Sequence, residues 1–141
     1  MNSERKLATI LATDCVNFSK HMEENEELTL TNLNECRKII DDVIAEFGGK
    51  IFSTAGDSVV AEFPSPVQCV KAAIEFQDKL YERNEHSLTK LKLSWRVGIH
   101  VDDVIVENNN IMGSGVNVAA RLESQSDPGK ILVSKIVKDQ V

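Results

Sequence analysis

Two aspartates, Asp14 and Asp57, each interrupt an apolar, strand-like run where the chain has to turn. The first ends Leu7-Ala8-Thr9-Ile10-Leu11-Ala12-Thr13-Asp14, and the second opens Gly56-Asp57-Ser58-Val59-Val60-Ala61-Glu62-Phe63. A carboxylate at the end of a buried strand is unfavourable unless it is solvated, paired or bound to a cation. Brought together by neighbouring strands, the two make a hard-oxygen site suited to Mg²⁺, which takes carboxylates together with phosphate oxygens and waters.

Asn117 and Arg121 stand four residues apart and so share a helix face, among Val116, Val118, Ala119, Ala120 and Leu122. Two uses of Arg121 fit: a pair with Glu123 or another carboxylate, or a contact to a phosphoryl group, which its fork of donors matches. Gly113-Ser114-Gly115 just before this helix either presents amides to a phosphate or simply turns the chain. Neither Gly49-Lys50 nor Gly129-Lys130 belongs to a GxxxxGK[ST] phosphate loop. Ile44 and Ser124 stand where its first glycine must be, and Ile51 and Ile131 where its hydroxyl residue must be. His21, His86 and His100 have no ligand-like spacing and read as structural or surface residues. No Ser-His-Asp or Cys-His order stands out, which leaves covalent catalysis with little support.

These side chains need elements to hold them. Lys6–Thr13 reads as a central strand, followed by a turn at Asp14-Cys15-Val16-Asn17-Phe18-Ser19 and a helix carrying Met22. Glu23, Glu24, Glu26 and Glu27 form a solvated acidic surface near a helix start. Leu30, Leu33, Ile40, Ile44 and Phe47 recur at helical spacing, and Gly48-Gly49 closes that helix. Residues 50–63 read as a hairpin with Ala55-Gly56 near its tip, which puts Asp57 at the turn beside the end of the first strand. Pro64-Ser65-Pro66 starts a helix whose buried face is Val67, Val70, Ala73, Ile74, Phe76 and Leu80, and which fades between Glu82 and Ser87.

Leu91–His100 and Val104-Ile105-Val106 read as two strands, with a turn at Asn108-Asn109-Asn110 and Trp95 in the core. A helix over Val116–Ser124, a short strand Lys130–Val133 and a last helix capped by Ser134 complete the order β-α-β-β-α-β-β-α-β-α. Strands exceed what a βαβ repeat provides. The fold class is therefore α+β, a mixed or antiparallel sheet with helices on one side.

At 141 residues the chain is one domain. No apolar run reaches a membrane-spanning length and the N-terminus has no signal-peptide core, so a cytoplasmic location is expected. A net charge of −6 argues against a nucleic-acid partner, although metal ions and a few placed cations still permit a nucleotide. Cys15, Cys36 and Cys69 form no CxxC pair and read as reduced packing residues.

Taken together, Arg5-Lys6-Leu7-Ala8 with Asp14–Ser19, Ser53-Thr54-Ala55-Gly56-Asp57-Ser58, Arg96-Val97-Gly98-Ile99-His100 and Gly113–Leu122 resemble the class III nucleotidyl cyclase domain, bacterial adenylate cyclases above all. The likeness runs in order over nearly the whole chain. It implies a ferredoxin-like βαββαβ core with additions, acting as a head-to-tail homodimer with sites at the interface. It implies that Asp14, Asp57 and the backbone carbonyl of Cys15 hold two Mg²⁺ or Mn²⁺ ions. Asn17, Phe18 and Ser19 would lie beside the nucleotide phosphates, and Ser53 and Asn110 at the base. Asn117 would orient the ribose and Arg121 stabilise the transferring phosphoryl group, both from the opposite subunit.

The activity so implied is conversion of ATP to 3′,5′-cyclic AMP and pyrophosphate, with a regulatory domain possible in a longer protein. Four places depart from the family pattern. Ser53 and Asn110 replace the lysine and aspartate that read adenine in many members, and Asn17 and Asp102 replace usual glycines. The family domain also continues into a hairpin with a phosphate-binding lysine beyond Val141. Two further expectations follow from these departures: a guanylate cyclase, or a catalytically weak or inactive nucleotide-binding and dimerisation module.

Overall fold

The structure, a computed structural model, describes residues 3–86 and 91–141. Ser87, the end of the expected polar fade of the second long helix, lies outside the described residues, as do Met1 and Asn2.

Thirteen residues, Ser3–Cys15, form strand β1, whose middle is apolar on both sides and therefore needs cover on both. Its neighbours are β3 (Ser58–Phe63) and β4 (Trp95–Glu107), both antiparallel to it. β2 (Lys50–Ala55) forms a hairpin with β3 through Gly56-Asp57, Gly56 having the positive φ such a turn requires. Between β1 and β2 run helices α1 (Phe18–Glu24) and α2 (Glu26–Glu46), and between β3 and β4 runs α3 (Pro66–Glu85). The spatial order β2-β3-β1-β4 with these crossovers is the ferredoxin-like βαββαβ arrangement. The additions follow: β5 (Asn110–Met112) antiparallel to β4, α4 (Ser114–Gln125), β6 (Ile131–Val133) parallel to β4, and α5 (Lys135–Gln140). The sheet is thus six-stranded and mixed.

Local chemistry explains the helix ends. Asn25 stops α1 and caps α2 by accepting from the Leu28 amide, with Glu26 and Glu27 in the favoured first turn. Ser65 caps α3 in the same way through Gln68, with Pro66 at the first helical position. Gly48 takes the left-handed conformation just past α2.

Strand alternation sorts the core into two layers. Leu11 and Cys15 of β1, with Val97 and Ile99 of β4, pack under α2 and α3 beside Trp95, Phe63 and Phe76. Ala8, Ile10 and Ala12 point the other way and meet Ala119 and Val116 of α4. Helices therefore cover both faces, not one as the strand count suggested, because α4 crosses the face opposite α2 and α3. Gly98 makes this possible: a Cβ there would lie 2.3 Å from the Glu123 amide nitrogen and 2.4 Å from the Ala119 carbonyl oxygen.

Two further sequence expectations need correction. The two strands read at 91–100 and 104–106 are one continuous β4, and the second partner is β5, reached through left-handed Asn108 and Asn109. Asp102 and Asp103 interrupt the apolar alternation without interrupting the ladder to β1. Val67 and Ile74 are exposed at 38% and 49%, as is Leu30 at 39%, since among the described residues no element lies over those flanks of α3 and α2.

Candidate functional site

At the C-terminal end of β1 the chain turns sharply, and the residues of that turn line a pocket of about 440 Å³. Asp14 and Asp57 both open onto it, with Cys15, Asn17, Phe18 and Ser19. Asp57 reaches β1 from the β2–β3 turn because its Oδ2 accepts a 2.9 Å hydrogen bond from the Cys15 amide. Burial raises the Asp57 carboxyl above the usual carboxylate range; this hydrogen bond opposes the rise and the Asp14 charge adds to it. The Cys15 thiol points into the α2–α3 core, where burial above all and the neighbouring acids push it up to about 12. Asn17 adopts φ 57°, ψ 33° as the residue ahead of α1, a left-handed position that asparagine tolerates better than other side chains.

Two cations complete the wall, Lys20 and Arg96. Arg96 stands opposite Asp14 in the β1–β4 register, and its Nε and Nη2 donate to Asp14 Oδ1 at 3.2 and 3.0 Å and Nη2 to Oδ2 at 3.1 Å. Its Nη1 donates to the Ser124 carbonyl at 3.2 Å. Glu123, buried at the end of α4, brings Oε2 to 3.4 Å from Arg96 Nη2 without hydrogen-bond alignment, so this oxygen is left unsatisfied. Burial first, then a hydrogen bond with Asp14 and its charge, raise the Glu123 carboxyl to about 8.

The remaining expected residues lie elsewhere on the protomer. On α4, Gly115, Ala119 and Glu123 face the sheet. Asn117 and Arg121, offset by two positions or about 200° around the helix, are exposed. Neither lines the pocket, and among the described residues the Arg121 guanidinium has no ion-pair partner; Glu123 serves Arg96 instead. Ser53 and Asn110 are exposed on β2 and β5, two strands that touch each other. Gly113 turns the chain and Gly115 packs against Asp102, whose Cβ would lie 2.6 Å from an added Cβ; neither glycine lines the pocket. Asp102 is thereby housed beside α4, away from the pocket, with Oδ1 bonded to the Asp103 amide and Oδ2 3.4 Å from His100. His100 is structural, joined to Ser134 at 2.9 Å.

A pocket with two carboxylates beside a guanidinium and an ammonium suits a polyanion accompanied by hard cations. Among the described residues no three His, Cys, Asp or Glu side chains form a ready cage. A two-carboxylate site leaves coordination positions to water and phosphate oxygens, which is how Mg²⁺ binds.

The family model for the adenylate and guanylate cyclase catalytic domain matches residues 2–141. The chain belongs to the class III nucleotidyl cyclase family. The cyclase domain is 35% identical over 138 residues, 97% of its length, to a Rhizobium meliloti protein named putative adenylate cyclase 3, of which it covers 24%. A solved adenylate/guanylate cyclase/hydrolase from Silicibacter pomeroyi is 40% identical, with a TM-score of 0.90 over 99% of this chain and 84% of that one. The adenylyl cyclase CyaB of P. aeruginosa is 28% identical at a TM-score of 0.87, covering 99% and 82%. The cyclase domain spans about a quarter of the length of the relatives first matched. No described helix is long and apolar enough to cross a membrane.

Three residues at the site, Lys20, Arg96 and Glu123, carry no distinguishing sequence pattern: Arg96 stands within a strand motif, and Lys20 and Glu123 lie on helices. Arg96, four positions before His100, meets Asp14 only through the β1–β4 register, which no local sequence pattern supplies.

Proposed function

We propose that this cyclase domain converts ATP to 3′,5′-cyclic AMP and pyrophosphate at a site built by two copies arranged head to tail. The observation that carries the reading is the convergence of Asp14 and Asp57 on one pocket while Asn117 and Arg121, on the outward face of α4, are left for another molecule. Two divalent ions, Mg²⁺ or Mn²⁺, would supply neutralisation of the triphosphate and acidification of the ribose 3′-hydroxyl. The donor set fits them: two convergent carboxylates, one aligned by the Cys15 amide, with the Cys15 carbonyl as the further backbone ligand.

The chain's own residues do the positioning. Asp14 and Asp57 would hold the ions, the Asn17-Phe18-Ser19 turn would lie along the phosphates, and Lys20 and Arg96, which line the same pocket, would offset their charge. Asn117 of a second copy orients the ribose, and its Arg121 stabilises charge as the 3′-oxygen bonds to the α-phosphorus and the bond to pyrophosphate breaks. Catalysis then rests on orientation and electrostatics. Ser53 and Asn110 face the base. The name of the 35% identical relative supports ATP.

A GTP reading is kept on one observation: Ser53 and Asn110 are neutral, and each can serve as donor or acceptor to either purine. Cyclic nucleotide formation with Mn²⁺ and ATP or GTP, side by side at high protein concentration, decides. Cyclic AMP as the main product is expected. Cyclic GMP alone would replace ATP with GTP, and nucleotide binding without either product would leave a binding and dimerisation module.

A further inference from the structure

Arg96 touches two parts of the fold that the sequence keeps far apart. On one side it takes both oxygens of Asp14 on β1; on the other it holds the last turn of α4 through the Ser124 carbonyl and the buried Glu123 carboxyl. Gly98 sets this up, because α4 lands on its bare Cα with the Glu123 amide directly above. From there the Glu123 side chain extends over Arg96, two residues back on the same face of β4. Glu123 is 7% exposed; its carboxyl is hydrogen-bonded to Asp14, and its Oε2 receives no donor from Arg96. A buried carboxyl oxygen left in this state, 3.4 Å from a guanidinium that is engaged elsewhere, is a second acceptor awaiting that guanidinium.

We infer that Glu123 is a positioning residue that receives Arg96 when a cation occupies Asp14, and so transmits loading of the pocket to α4, which carries Asn117 and Arg121. The inference rests on the reading of Asp14 as a cation ligand. A divalent ion and Arg96 compete for the same two Asp14 oxygens, so binding of the ion loosens the Arg96–Asp14 fork. With Glu123 present, the freed guanidinium turns onto α4 and completes a bidentate pair there. The outward face of α4 then moves as one piece with the pocket of its own protomer, although its two polar residues serve the other one. A shared site of this kind would load and organise both halves together.

The test reads α4 directly. Hydrogen exchange of the α4 amides is followed with and without Mn²⁺, and Mn²⁺ binding is measured separately by electron paramagnetic resonance. In the unaltered chain Mn²⁺ should change α4 exchange. Glu123→Ala should still bind Mn²⁺ but lose the α4 response, and Glu123→Gln, which keeps an acceptor for Arg96, should recover it. Arg96→Lys, which keeps the charge without the fork, should lose it as Glu123→Ala does, and it carries the test if the alanine variant does not fold. An α4 response that survives in Glu123→Ala or Arg96→Lys, a glutamine variant no better than alanine, or no Mn²⁺ effect on α4 in the unaltered chain would each overturn the inference. Absence of cyclic nucleotide with both ATP and GTP would instead overturn the cyclase reading and leave an observed α4 response standing.

Discussion

Asp14 and Arg96 face each other across the β1–β4 ladder, joined by three hydrogen bonds of 3.0 to 3.2 Å, at the wall of the pocket where β1 ends. Both side chains are partly buried, at 27% exposure for Arg96 and 19% for Asp14. The pair lies between an exposed bridge and a buried one, and its removal is felt accordingly. Arg96→Met leaves Asp14, Asp57 and Glu123 without their shared cation, and should lower stability by about 1–3 kcal/mol. Urea denaturation checks this; an unchanged midpoint would mean that the fork is a solvent-screened contact of no consequence.

Asp102 and Gly115 form a matched pair. Gly115 supplies the space on α4 that Asp102 occupies, since an added Cβ would come 2.6 Å from that of Asp102. Gly115→Ala alone should destabilise by about 1–3 kcal/mol through overpacking. Combined with Asp102→Gly, it should cost about 1 kcal/mol less than the sum of the two single changes. Thermal melts of the four proteins close the cycle, and simple additivity would show that the two residues do not share this space.

The thiols make a third prediction. Cys15, Cys36 and Cys69 are free and buried, and burial raises the thiols of Cys15 and Cys69 well above the ordinary range. Thiolate is the reactive form, so at about pH 8 the folded protein should react negligibly with an aromatic disulfide reagent, and three thiols should titrate once it is unfolded. Rapid reaction of a native thiol would show that α2 and α3 open readily over β1.

Much of this architecture was legible from local chemistry. The apolar run before Asp14, the Gly48 stop of α2 and the turn at Gly56-Asp57 rest on neighbouring residues alone, so the sequence placed the two aspartates at turns beside one strand. The four-residue spacing of Asn117 and Arg121 fixed their shared face for the same reason. What sequence could not supply was register and layer. Arg96 meets Asp14 because of the β1–β4 pairing, and Glu123 meets Arg96 because α4 settles on Gly98 on the far face of the sheet. Asp102 and Asp103 lie between the two strands expected at 91–100 and 104–106, yet the backbone ladder tolerates both: Asp103 is exposed, and Asp102 lies in the space beside Gly115. Val67 and Ile74 follow helical periodicity, but periodicity does not say whether anything covers that flank.

The central claim, a site shared by two copies, is tested most directly by mixing Asp14→Ala with Arg121→Ala. Each variant alone spoils both sites of its dimer and should be inactive. In a mixed dimer one site carries both defects and the other carries none. After re-assortment of equal amounts, about a quarter of the unaltered activity should therefore return. Recovery of that order, measured as cyclic nucleotide formed with Mn²⁺, is the result expected. If the mixture stays as inactive as its components while both variants remain folded and exchange subunits, Asp14 and Arg121 do not meet across an interface and the shared-site account is wrong.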